Sequence, residues 1–104
     1  MDRDNAWLLD MLTYSQRVLD VTAGLSYDEF DANSTLQYAV IHLITVVGEA
    51  AAQVTDSRRN EFPNIPWSQI VGTRNRLVHH YFKIETNILW EVIQTHLPQL
   101  IVEL

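Results

Sequence analysis

The chain has 104 residues, seven Lys+Arg against 13 Asp+Glu, a net charge of -6 and no cysteine. That length suits one domain spanning residues 1–104, and 47% hydrophobic residues exclude a disordered chain. The lack of cysteine excludes a disulfide framework and thiolate metal sites, and the acidic balance argues weakly against broad nucleic-acid binding.

The charge is unevenly distributed. Residues 57–84 carry Arg58, Arg59, Arg74, Arg76 and Lys83 against Glu61 alone, a net +4, while the remainder carries -10. An acidic body with one basic segment can still bind an anion locally. The N-terminal "MDRDNAWLLD" lacks the basic and apolar regions of a signal peptide. The apolar runs are too short for a membrane span, and the absence of cysteine fits a reducing compartment, so a cytoplasmic setting is expected.

In chain order, Trp7, Leu8, Met11, Leu12, Val18 and Leu19 recur every three or four residues and predict an amphipathic helix from about Asp4 to Thr22, stopped by Gly24. Ser26 and Glu29 form a capping-box pattern. A second long helix is expected from Asn33 or Ser34 to about Thr55, with Leu36, Val40, Ile44 and Val47 on one face. Gly48, Ala51 and Ala52 offer it a smooth patch that another helix can approach, and Glu49 beside them reads as solvated. His42 reads as packing or a partner contact.

Pro63 and Pro66 break the connection "DSRRNEFPNIPW", and Pro66 is placed to start the next helix at Trp67. Its stripe is Ile70, Val71, Arg74, Leu77, Val78 and Tyr81, so Arg74 sits where the pattern expects core. A last helix begins near Glu85, and Pro98 should kink or interrupt it. His96 falls at that helix end. No strand is evident. The expected fold is all-α, an up-and-down bundle of four to five helices with four main ones.

The chemistry concentrates in "RNRLVHHYF", residues 74–82. Arginine grips phosphate oxygens through a planar fork, and histidine exchanges a proton near neutral pH. Together they suit metal-free cleavage of RNA, which supplies its own 2'-hydroxyl nucleophile. On a straight helix, however, His79 points about 140° away from Arg74. Either the helix ends near Val78 and the histidines turn back, or a second copy of the chain completes the cleft. A zinc site is disfavoured, since adjacent histidines cannot share one ion from a regular helix and no H-E-x-x-H occurs. A non-catalytic helical interaction module and a nucleotide-binding regulatory domain remain open on these residues.

The stretch "GTRNRLVHHYF" resembles the signature of HepT-like ribonucleases in the HEPN superfamily: Arg, four residues, His, any residue, Tyr. "GLSYDEF", "VVGEAA", "FPNIPWSQIVGTRNRLVH" and "LWEVIQTHLP" resemble the family in the same order and extend the likeness over essentially the whole chain. The resemblance implies a HEPN-like homodimer acting as a metal-independent endoribonuclease toxin without a cofactor. It also implies an MNT-type nucleotidyltransferase antitoxin that neutralises the toxin, with AMP transferred to Tyr81. Arg74 and His79 would then be catalytic, Asn75 and Tyr81 supporting. Arg76, His80 and Lys83 are further candidates for contacts to substrate phosphate.

Overall fold

The computed structural model describes residues 2–104, apart from the side chain of Tyr81. Helix α1 (Arg3–Thr22) starts where the Asp2 side chain accepts the Asn5 amide at 2.7 Å. Gly24 ends it with φ +77°, a left-handed conformation that suits a residue without Cβ. The capping box forms as expected at Ser26 and Glu29 and opens the short α2 (Tyr27–Asp31). The Asn33 side chain accepts the Leu36 amide at 3.0 Å and starts α3 (Ser34–Gln53).

Helix α3 is the axis of the molecule. By length and composition it is apolar enough to cross a membrane, but its apolar face is engaged in the core. Val40, Ile44, Val47, Ala50 and Ala51 are buried, and its main neighbours are α1 on one side and α5 on the other. Asp4 near the start of α1 accepts bonds from the Thr55 amide (3.0 Å) and hydroxyl (2.6 Å), just past the end of α3, so these two helices run antiparallel.

After the short α4 (Asp56–Arg59), the Pro66 carbonyl accepts the Ile70 amide at 3.0 Å and α5 (Trp67–His80) begins as expected. The helix runs through both His79 and His80 into a 3-10 turn (Tyr81–Lys83). It therefore does not end near Val78, and the histidines do not fold back on Arg74 in that way.

The last rod is α6 (Thr86–Glu91), a π turn (Val92–His96) and α7 (Leu97–Glu103). Pro98 was expected to kink or interrupt this helix. The interruption takes the form of the π turn just before it, closed by the Leu97 amide on the Val92 carbonyl, which shifts the register. Pro98 then falls in the first turn of α7, where no intrahelical donor is required. Tyr27 and Asp31 of α2 both hydrogen-bond Thr86, and Phe30 packs on Trp90, which fastens α2 to this rod. The protein is all-α, with four long helical rods: α1, α3, α5 and α6–α7.

Candidate active site

The N-terminal end of α5 is clasped to the C-terminal end of α3 by Arg59. Its Nε donates to the Val54 carbonyl (3.1 Å) and its Nη2 to the Ala51 carbonyl (2.9 Å), which satisfies acceptors that a helix end leaves open. The same guanidinium lies over the Trp67 ring, 5.3 Å from its centroid. So α5 runs antiparallel to α3, starting beside residues 51–54 and passing Gly48 at Ile70 and Arg74.

The smooth patch on α3 is real and tighter than the sequence suggests. A Cβ at Gly48 would sit 2.2 Å from the Arg74 Cβ and 3.3 Å from the Ile70 carbonyl oxygen. Gly48 and Ala51 are buried in this seam, whereas Ala52 is exposed. Leu77 is the fully buried residue of α5, so the helix rests on α3 through a narrow strip and leaves both its flanks open.

Arg74 occupies the seam with its stem and leaves it with its head. The side chain is 31% exposed. Its Nη1 donates to the Asn75 Oδ1 at 2.7 Å, and its Nη2 lies 3.7 Å from the Glu49 Oε1. The first contact is a firm hydrogen bond. The second is long and partly exposed, so it aims the guanidinium without cancelling its charge. Glu49, expected to be merely solvated, is thus part of the site. The one signal of this was its place beside Gly48, and that signal needed the identity of the helix lying over Gly48.

Helix geometry then places the remaining residues. Rotating from Gly48 by about 100° per residue puts Glu49 and His42 on one flank of α3, at about 100° and 120°. Rotating the same way from Arg74 puts Asn75 at about 100° and His79 at about 140°. In antiparallel right-handed helices these equal senses of rotation fall on the same side of the pair. The contacts agree, since Glu49 and Asn75 both reach the Arg74 head. His79 is exposed about 7.5 Å further along α5, on the same side of the helix pair but turned about 140° from the strip that meets α3. Among the described residues the guanidinium's partners within one copy of the chain are Asn75 and Glu49, not His79.

Arg76 and His80 go the other way, at about -160° and -120°. Arg76 lines a groove of about 450 Å³ between α5 and the α6–α7 rod, together with Thr73, Gln69, Ile44, Val92 and His96. Neither residue joins Arg74 and His79 on the opposite face. Lys83 is exposed on the 3-10 turn, its Nζ 5.6 Å from the Phe82 ring centroid. The Tyr81 side chain lies outside the described residues, so its assigned role has no structural counterpart here. Among the described residues no three His, Cys, Asp or Glu side chains gather where they could share a metal ion.

The family model described as Ribonuclease HepT-like matches residues 11–104. The chain belongs to the HepT-like ribonuclease family. "Putative RNase MJ1380" of Methanocaldococcus jannaschii is 37% identical over 95 residues, covering 91% of this chain and 87% of that one. "Putative RNase MJ0125" of the same organism is 33% identical over 95 residues, covering 91% and 82%. "Probable ribonuclease HepT" of Thermococcus cleftensis is 26% identical over 94 residues, covering 90% and 86%. No solved structure matches the chain. The family supports a ribonuclease, and the motif "RNRLVHHY" of this HepT-like chain lies within the matched segment.

Proposed function

We propose that the chain is a metal-independent endoribonuclease and the toxin of a toxin–antitoxin pair. The reading is supported by an aimed and incompletely neutralised Arg74 guanidinium with the exposed His79 less than two turns along the same helix, turned so that a second copy would complete the cleft. Arg74 would hold the scissile phosphate and stabilise the charge that builds on it. His79 would move a proton at the 2'-hydroxyl or the leaving 5'-oxygen. A cytoplasmic setting goes with an RNA substrate.

The α3–α5 face supports a homodimer with its motifs facing each other. Tyr38 (66% exposed), Val78 (42%) and Phe82 (68%) are large apolar side chains left open to solvent on α3, α5 and the turn that follows. A second copy seated there would cover them and form one cleft from two sites. A nucleotidyltransferase antitoxin would silence the site by transferring AMP to Tyr81, because the added phosphate would compete with substrate for Arg74.

The test compares wild type with Arg74→Ala, Arg74→Lys and His79→Ala, as purified proteins on single-stranded RNA and on induction in cells. Cleavage and growth arrest that persist in EDTA, and that all three substitutions abolish, are the expected result. Equal behaviour of all four chains would leave a non-catalytic dimer that binds the nucleotidyltransferase. Mass spectrometry after incubation with that enzyme and ATP should find one AMP on Tyr81.

A further inference from the structure

In a bundle of four rods each rod normally packs beside two others. Here α5 rests on α3, whereas the α6–α7 rod rests on α1 and α2. The two barely touch each other, and the groove of about 450 Å³ lies between them. Its floor is the core itself: Ile44 and Val47 of α3, with Ile65, Leu97 and Leu100. Ile70 and Val92 stand half-buried on its two walls. Ile88, a large apolar side chain that is 39% exposed, lies along the same groove.

The polar lining is divided by charge. The α5 wall carries Arg76, which has no ion-pair partner among the described residues. The opposite wall carries Glu91 and Glu103, about 18 Å apart along the rod, with the His96 ring 3.9 Å from the Glu91 carboxylate. An occupant that satisfies this lining is apolar beneath, acidic on one side and basic on the other. The groove is also long. Its α5 wall runs about 10 Å from Gln69 to Arg76, and its other wall about 22 Å from Ile88 to Glu103. That is about two to four turns of a helix. The volume alone would suit a compact ligand, but such a ligand would meet only part of the floor and one of the two carboxylates. The same carboxylates oppose a nucleic-acid strand.

We infer that this groove is the docking site for an amphipathic helix of a partner protein. That helix carries an apolar stripe at i, i+3, i+4 and i+7, acidic residues on the flank towards α5 and basic residues on the flank towards α6–α7. Its stripe covers Ile70, Ile88 and Val92 and closes the open side of α5. Its acidic flank meets Arg76, and its basic flank meets Glu91 and Glu103. The opposed flanks also fix the direction in which the helix runs, because turning it end for end brings like charges together. Arg76 and Val78 lie about 160° apart around α5. The groove is therefore on the far side of that helix from the proposed dimer face, and it stays open when two copies pair.

The test uses the full chain and three fluorescein-labelled helical peptides of about 16 residues, long enough to span the groove. All share one leucine stripe. Their flanks are glutamate on one side and lysine on the other, lysine on both, or glutamate on both. Binding is read by fluorescence anisotropy at low salt, where charge complementarity is least screened. The mixed peptide should bind about 10-fold tighter than the lysine peptide, with the glutamate peptide weakest. Arg76→Glu should weaken the mixed peptide by about 10-fold and make the lysine peptide the tightest. Ile88→Ser should weaken the mixed peptide several-fold. Both substitutions fall at exposed positions, so melting should stay near that of wild type. No saturable binding of the mixed peptide up to millimolar concentration overturns the inference. So does binding that Arg76→Glu leaves unchanged, and if that variant instead binds single-stranded RNA less well, the groove is a path for RNA. A lower sedimenting mass of Ile88→Ser would make the groove an interface between copies and would also overturn it. None of these outcomes bears on whether Arg74 and His79 cleave RNA.

Discussion

Two arginines of the basic segment, Arg59 and Arg74, meet the C-terminal half of α3, and they are used in opposite ways. Arg59 has its Nε and Nη2 on backbone carbonyls and its flat face over Trp67. Arg74 has one firm bond to Asn75, a loose approach to Glu49 and a buried Nε with no hydrogen-bond partner among the described residues. The first is consumed by closing the end of a helix. The second is aimed but left with capacity to bind. Neighbouring Arg58 is also engaged, with Glu61 at 2.8 Å and the Asn5 side-chain oxygen at 2.9 Å. So the +4 of the segment overstates what is offered to a ligand, and what remains is divided among Arg74 at the α3–α5 seam, Arg76 in the far groove and Lys83 on the turn after α5.

That contrast can be broken most severely by exchanging the fates of the two arginines. Arg74→Ala should reduce RNA cleavage by about 100-fold or more with little change in melting, because its head is outside the core. Arg59→Ala should do the reverse. Cleavage per folded molecule should hold, while unfolding in urea shows a loss of about 2 kcal/mol from charged hydrogen bonds to backbone.

Gly48→Ala would test the seam on which the contrast depends. The new methyl would meet the first carbon of the Arg74 side chain, which no rotamer change can move. Helix α5 must back away, at a cost of about 3 kcal/mol in unfolding measurements. Activity should fall further than the stability loss accounts for, since Arg74 and Glu49 separate.

Glu49→Gln should be milder. Losing a long, partly exposed ion pair should change stability by less than about 0.5 kcal/mol. Substrate KM and kcat should shift by a few-fold as the guanidinium loses its guide.

The smallest effect is expected at the other end of the α3 clasp. Hydrogen bonds from the Thr55 hydroxyl and amide hold the Asp4 carboxyl below its ordinary value. A depressed carboxylate stabilises the fold above its unfolded pKa, and this is lost as pH falls through the folded value. The gap in melting temperature between wild type and Asp4→Asn should therefore be widest near neutrality and shrink below about pH 4.

Local signals in the sequence transferred well where a single residue decides the backbone. Gly24, the Ser26–Glu29 box, Asn33 and Pro66 all act where their chemistry predicts. The last rod is interrupted ahead of Pro98 as expected, but by a π turn rather than by an end of the helix, and that turn supplies a fresh first turn for the proline. Glu49 was missed because an acid on a helix surface looks the same whether water or an arginine stands over it.

By itself the sequence determined the helices, their caps, the family and the residues able to hold a phosphate and move a proton. These depend on contacts within a turn or two of the chain. Only the tertiary structure decided which of those residues meet. The antiparallel seat of α5 on Gly48 brings Arg74 and Asn75 to Glu49 and sends Arg76 to the far groove. Rotation about a helix is set by sequence, but the side on which a neighbour lies is set by packing.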